Sequence, residues 1–418
     1  MITLENLKEE SNPILEYIDS QWSMLRANAR DGHDDAVESW RTLAATSYDG
    51  HLDDLDPTNP YILYLPNDFI TPGGRFVVQF YWDSYFINLG LLRSGWVEMA
   101  RGMVENCLYL VRKHGMVIAN RKRWSAGSQL PFLSSMVREV HAATADDDWL
   151  AAAVQAIEAE YRGYWMNTDH LTPSGLSRYH APPWFPEASI PEITMDHEAS
   201  WDLSPRFEKK DVLHLLPVDL NCNLYLYELD LAAFSRKAGS VTEADRWEAA
   251  AALRRERIQE LLWSEEDGLY YDLDYVNGTL KRVKSLAAFF PLFAGIASRE
   301  QAARVVSQLG LFEREFGLST CDQDYGFDDR QWNAPIGWAP LHWMVFVALR
   351  RYGYLADATR IALKWLNLLQ RDWLATGALY EKYDVVAGSS QVLTDRYKNQ
   401  QGFGWTNGVY IALVDALK

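Results

Sequence analysis

Apolar residues recur at steps of three and four over much of this chain. Trp96, Met99, Met103, Cys107, Leu110 and Val111 form one such series, which stops at Gly115. That spacing lays a single apolar stripe along a helix, and glycine ends it because the left-handed conformation costs it little. A second helix is predicted over Asp219 to Ala238, ended by Gly239. A third opens at Thr242 and puts Trp247, Ala250, Ala251, Leu253, Ile258 and Leu261 on its apolar positions. Ser298, with Gln301 three residues on, has the form of a capping box. Leu341 to Tyr352 and Leu355 to Leu369 add two more helices, split by Gly353. Strand signals are few. They gather at Leu269-Tyr270-Tyr271 and at Asn277-Gly278, where Asn-Gly reads as a hairpin turn in preference to a glycosylation acceptor. A chain of this kind packs helix on helix. Helical pairs closed into a ring and helical pairs stacked into an open solenoid satisfy the pattern equally.

Composition narrows the partners. The 418 residues are 48% hydrophobic, enough for a large core, and 57 acidic against 40 basic side chains leave a net charge of −17. Such a surface repels nucleic acid and anionic membrane. No linker-like run interrupts the sequence, so residues 1–418 are expected to form one domain, with 1–60 as a helical lead-in. The N-terminus lacks a basic head followed by an apolar run, and no stretch is long and apolar enough to span a bilayer. Cys107, Cys222 and Cys321 are odd in number and widely spaced, which points to free thiols in a reducing compartment and hence to the cytoplasm. The expected assembly is a monomer or small homo-oligomer.

Two stretches mix Gly and Pro with aromatics and a few polar side chains. One is Pro72-Gly73-Gly74-Arg75-Phe76 followed by Tyr81-Trp82-Asp83-Ser84-Tyr85; the other is Gln331-Trp332-Asn333-Ala334-Pro335-Ile336-Gly337-Trp338. Flat rings suit the apolar faces of a sugar, and the neighbouring polar groups suit its hydroxyls. Together they suggest a carbohydrate site on rigid loops; plain turns with buried aromatics are the alternative. Other chemistries lack their motifs. There is no Gly-x-Ser-x-Gly elbow, no phosphate-cradling glycine loop and no His-Glu-x-x-His, and His197 has no second ligand at metal spacing. No metal or cofactor is expected. Carboxylates remain as the candidate chemistry.

Both stretches resemble the two signatures of the trehalase family of glycoside hydrolases, and further segments follow in that family's order. They are Trp201-Asp202-Leu203-Ser204-Pro205-Arg206, Pro217-Val218-Asp219-Leu220-Asn221, Glu381-Lys382-Tyr383-Asp384-Val385 and Gly402-Phe403-Gly404-Trp405-Thr406-Asn407-Gly408. The resemblance covers the chain from about Pro72 to the C-terminus. It implies an all-α fold, an (α/α)6 barrel with motif loops over its mouth and short β-hairpins among them. It also implies an inverting α-glycosidase with Asp202 as general acid and Glu381 as general base, separated by roughly 6.5–9.5 Å to admit a water. On local sequence alone, Asp202 between Trp201 and Leu203 reads equally as a turn cap before Ser204-Pro205, and Glu381-Lys382 as a surface ion pair. Substrate-binding roles are implied for Arg75, Phe76, Trp82, Asp83, Asn120, Gln129, Glu192, Gln331, Trp332 and Trp338.

The chain departs from the family pattern in places. Val78 and Phe80 stand where Glu and Tyr are usual, Asn333 replaces an Asp, and Gly127 takes an Arg position. Ile190-Pro191-Glu192-Ile193 replaces Arg-Pro-Glu-Ser, and Thr394-Asp395-Arg396-Tyr397 replaces a glycine-rich stretch. Arginines expected near the second sugar are thus gone, while Arg396 and Lys398 are new. The leading substrate is α,α-trehalose. A glycosylated compatible solute such as glucosylglycerate, its carboxylate paired with Arg396, is the alternative within the class. A sugar-binding protein without catalysis is the alternative outside it. A helical-barrel isomerase ranks lower, since no histidine stands in a sugar-facing motif.

Overall fold

Among the described residues, six helices are buried over much of their surface and six bury a single face; this division sets the architecture. The computed structural model describes residues 2–5, 12–27, 65–119, 127–180, 198–207, 212–326, 331–392 and 397–418. Asn120, Glu192 and Arg396 lie outside the described residues. The striped helices are α1 (Pro13–Leu25), α3 (Val97–His114), α5 (Asp147–Glu160), α7 (Val241–Leu261), α9 (Arg299–Ser307) and α11 (Leu355–Thr376). In α1 the buried positions are Ile14, Ile18, Trp22 and Leu25, one face of the helix. The more deeply buried set is α2 (Tyr81–Arg93), α4 (Leu133–Thr144), α6 (Val218–Lys237), α8 (Phe290–Ala294), α10 (Ala339–Arg351) and α12 (Gly404–Leu417). Every residue of α2 from Tyr81 to Leu91 is buried, as is every residue of α12 from Gly404 to Val414. A helix without a polar face must be enclosed on all sides.

These six inner helices close on themselves. Each packs against the next, α2 on α4, α4 on α6, α6 on α8, α8 on α10 and α10 on α12, and α12 returns to α2. The outer helices lean on this ring, α3 on α2, α7 on α6 and α11 on α10, while α1 lies on α12. The result is an (α/α)6 barrel, as the family resemblance implies; a solenoid would lack the α12–α2 contact. That closing contact is close because two glycines face each other. A Cβ on Gly90 would come within 2.6 Å of the Gly408 Cα, and one on Gly408 within 2.1 Å of the Phe86 carbonyl oxygen.

Helix boundaries follow the sequence signals. Helix α3 ends at Gly115 with φ +80°, and Ser298 and Gln301 form the reciprocal capping box. Helix α11 runs past Leu369 to Thr376 before Gly377 stops it in the left-handed conformation. The strands are short: β1 (Arg26–Ala27) with β2 (Phe69–Ile70), β3 (Leu215–Leu216), β4 (Trp263–Ser264) with β5 (Leu269–Tyr270), β6 (Asp272–Asp274), β7 (Thr279–Lys281), and β8 (Ile336–Trp338) with β9 (Lys382–Asp384). The Asn277-Gly278 hairpin is present as β6–β7, with a wider turn than two residues. Asp274 pairs with Thr279, and the Asp274 carboxylate accepts from Val276 and Asn277 N–H to shape the loop. All three cysteines are buried and unpaired.

Candidate active site

Helices α2, α10 and α12 begin at one end of the ring, and their first residues build a cleft there. Trp82 and Asp83 come from the first turn of α2, Trp338 precedes α10, and Phe403 and Trp405 open α12. Helix N-termini carry unpaired N–H groups and partial positive charge, so this end favours carboxylates. The antiparallel pairing of β8 with β9 sets Trp338 opposite Lys382, which brings the second aromatic stretch beside Glu381. The cleft is tight, with about 70 Å³ of open space, below the ordinary range for small-ligand sites. Its polar lining is Asp83, Gln129, Ser200, Asp202, Gln331, Glu381 and Tyr397; Pro72, Phe76, Phe80, Trp82, Trp332, Trp338, Phe403 and Trp405 supply the walls. A more open groove of about 480 Å³ lies elsewhere, lined by residues including Asp68 and Glu98, but Asp68 there is tied to Arg26.

Asp202 and Glu381 therefore line the same cleft. Asp202 is half-buried on a bend whose flanks, Ser200 (φ 63°) and Leu203 (φ 58°), both adopt the left-handed conformation, which is unusual for side chains with a Cβ. The bend is held from both sides. The Ser200 hydroxyl accepts the Leu130 N–H at 3.1 Å. Behind it, Arg206 is 1% exposed and makes paired bonds to Asp219 and to Asp272, with its guanidinium 4.6 Å from the Trp201 ring centroid. Asp219 belongs to the Pro217-Val218-Asp219 segment, so that motif supports the Asp202 loop through Arg206. At the start of the loop, the buried Glu198 carboxylate accepts from the Tyr164 hydroxyl, from the His180 N–H at 2.6 Å, and lies 3.2 Å from His170 Nε2. Tyr164 also accepts the Ser128 N–H at 3.2 Å, linking the Ser128-Gln129 segment to the same anchor.

Glu381 is not part of a surface ion pair. It is 3% exposed and Lys382 is fully buried, with 3.2 Å between the Lys382 Nζ and Glu381 Oε2. The Tyr397 hydroxyl donates to Glu381 Oε1 at 2.7 Å. Asp83, 5% exposed, faces both carboxylates. Burial first, then the negative charges of Glu381 and Asp202, push its carboxyl well above the usual range.

The remaining sequence-derived residues divide. Trp332 and Trp338 stack in parallel at 4.0 Å and 4°, Trp201 continues the stack at 5.3 Å from Trp332, and Trp82 meets Trp332 edge-on at 6.4 Å. These rings pack the core and wall the cleft at once. Gln129 has a second duty, since its side-chain Oε1 accepts the N–H groups of Tyr81 and Trp82 at 3.1 Å and caps α2, where Phe80 offers no polar side chain. Arg75 stands against the lining residue Tyr397, its guanidinium 5.4 Å from the ring, and its backbone N–H donates to Gln400. Asn333 donates its amide to Asp324 at 2.7 Å, a bond that the usual Asp could not give to a second carboxylate. Tyr397, Lys382 and Glu198 are site residues that sequence reasoning missed. Lys382 and Tyr397 stood inside the segments compared with the family but were given no role there; Glu198 gave no signal.

Comparison with known proteins agrees with the geometry. The family model for trehalase matches residues 37–197 and 192–418. The cytosolic neutral trehalase of Saccharomyces cerevisiae is 31% identical over 82% of this chain and 56% of its own length. The probable trehalase of Eremothecium gossypii is 32% identical over 82% of this chain, which spans about 57% of that relative. A periplasmic trehalase of Salmonella agona is 31% identical over 96% of this chain and 73% of its own length. Among solved structures, the neutral trehalase of S. cerevisiae superposes with TM-score 0.74 at 27% identity, covering 84% of this chain and 74% of that one. A mannosylglycerate hydrolase of Thermus thermophilus shares the fold, with TM-score 0.65 at 19% identity and coverage of 89% and 99%. The relatives include cytosolic and periplasmic proteins, so the family is compatible with either compartment. No helix among the described residues is long and apolar enough to cross a membrane. By sequence match, barrel architecture and shared motifs, the chain belongs to the trehalase family of glycoside hydrolases.

Proposed function

We propose that this protein hydrolyses α,α-trehalose to two molecules of glucose, with inversion at the attacked carbon. The observation that carries the reading is the meeting of Asp202 and Glu381 in one aromatic-walled cleft. The names of the curated relatives support the substrate. Asp202, protonated, gives its proton to the glycosidic oxygen as the bond to the anomeric carbon breaks. Glu381, ionised, takes a proton from water, and that water's oxygen bonds to the anomeric carbon from the opposite face. The attacked glucose leaves as the β anomer and the other as the α anomer. The Trp walls stack on ring faces, and Asp83 is placed to accept from sugar hydroxyls.

Asp202→Asn and Glu381→Gln should each lower kcat on trehalose by about 10²–10⁴-fold with unchanged circular dichroism. Wild-type turnover in either variant overturns the assignment. Proton NMR of the first turnovers should show α- and β-glucose in equal amounts; α-glucose alone excludes inversion.

A second assignment of the acid has one observation behind it. Of the three cleft carboxyl groups, Asp83 has surroundings that strongly favour its protonated form, through burial and the charges of Glu381 and Asp202. α-Glucosyl fluoride decides between them, because fluoride departs with little proton assistance. The variant whose loss on trehalose is largely restored on the fluoride, Asp202→Asn or Asp83→Asn, identifies the acid; the reading above expects Asp202→Asn. For the compartment, the three buried unpaired cysteines favour a reducing one and hence the cytoplasm. Fractionation of host cells, with activity in the periplasmic or secreted fraction as the contrary result, tests this.

A further inference from the structure

We propose that Lys382, Tyr397 and Gln331 are positioning residues that grip Glu381 through both of its carboxylate oxygens and keep it ionised and aimed into the cleft. The inference rests on the reading of Glu381 as general base and deepens it.

The root of Glu381 is fixed first. Its N–H donates to the Gln400 carbonyl at 2.8 Å, and its own carbonyl accepts the Trp405 indole N–H at 2.9 Å. The carboxylate is then held at both ends, Oε1 by the Tyr397 hydroxyl at 2.7 Å and Oε2 by the Lys382 ammonium at 3.2 Å. Successive residues of an extended segment point to opposite faces, yet the Lys382 ammonium returns to its neighbour's carboxylate. Gln331 holds it there, its Oε1 accepting from Nζ at 2.9 Å. The rings of Trp338 and Tyr397 flank the ammonium, with centroids at 5.2 and 4.2 Å. A fully buried ammonium is costly unless paired and hydrogen-bonded, so this degree of satisfaction marks a built position. Gln331 thus serves the base through Lys382 as well as lining the cleft.

The need for such a grip comes from the neighbours. Asp83 faces Glu381 from α2 and Asp202 lines the same cleft from the acid loop; Lys382 comes from β9 and Tyr397 from the segment before α12, with Arg75 against its ring. Three carboxyl groups in one desolvated cleft compete to share protons. A cation bonded to one of them settles which stays ionised. Each carboxylate oxygen can accept more than one hydrogen bond, so the grip leaves capacity for the attacking water.

The test is the pH dependence of kcat/KM on trehalose for wild type, Lys382→Met and Tyr397→Phe, with Glu381→Gln as control. The acid limb of the Lys382→Met profile should move to higher pH by about one unit or more. In Tyr397→Phe, which keeps the ring and its packing, it should move the same way by less. KM should change far less than kcat at neutral pH. If both variants lose rate with the acid limb unmoved, the two residues only pack the site and the inference fails. If Lys382→Met does not fold, the Tyr397→Phe profile decides alone. An inactive Glu381→Gln beside unmoved limbs overturns only the grip, whereas an active Glu381→Gln overturns the functional reading and the grip with it.

Discussion

Glu160, at the end of α5, is a carboxyl group with no part in the cleft, and it shows what burial does to a single side chain. It is fully buried, accepts from the Tyr227 hydroxyl at 2.8 Å, and lies 3.4 Å from the Tyr81 hydroxyl. Burial pushes it from 4.5 up to about 7. A folded chain that holds the proton more tightly than the unfolded one is favoured at low pH. The favourable contribution is complete below about 4.5 and is lost as pH rises through about 7. Glu160→Gln, which stays neutral, should gain stability relative to wild type as pH rises across that window, by roughly 3 kcal/mol at the upper end. Melting temperatures of both proteins from pH 4 to 8 would check this; parallel curves would mean that Glu160 ionises freely in the fold. Sequence alone could not single out Glu160, because a Glu on a striped helix reads as solvent-facing. The same blindness made Glu381-Lys382 look like a surface pair. Adjacency is visible in a sequence, but the ring of aromatics that buries both groups comes from distant segments. Asp202 and Glu381 were legible only because their flanking motifs were.

At the scale of elements, spacing and capping signals located the striped helices α3, α7, α9 and α11, which expose one face, but gave no reading for α1 or α5. They were least informative for the inner set. Helix α8, the buried Phe290-Pro291-Leu292-Phe293-Ala294, is too short to show a period. The Asn277-Gly278 turn came out wider than its dipeptide suggests because the Asp274 carboxylate organises the loop. The contact between α2 and α12 was invisible for a different reason: it depends on two side chains that do not exist. Gly408→Ala would place a methyl against the Phe86 carbonyl, with backbone on both sides and no flexible side chain to yield. The expected loss is about 3 kcal/mol or more in denaturant unfolding. The same substitution at Gly310, where a Cβ meets nothing within 4 Å, is the control and should change stability little.

For the whole molecule, the sequence left ring and solenoid undecided because apolar spacing is a local property and closure is not. Closure joins the helix after Pro72 to the last helix of the chain, with α1 laid beneath both. Trp22 of α1 packs near Gly90, and Asn12 hydrogen-bonds Tyr410 at 3.0 Å. The cleft gathers carboxyl groups at the helix starts.

The parallel indoles of Trp332 and Trp338 have a spectroscopic consequence. Two identical chromophores held face to face at 4.0 Å share their excited states, so the native protein should show a split circular-dichroism band of indole origin. Trp332→Phe should erase that couplet while leaving the helical signal in place. Because Trp201, Trp82 and Trp405 crowd the same pair from other segments, a sugar entering the cleft should perturb the band, giving a label-free readout of occupancy even in a variant that cannot turn over.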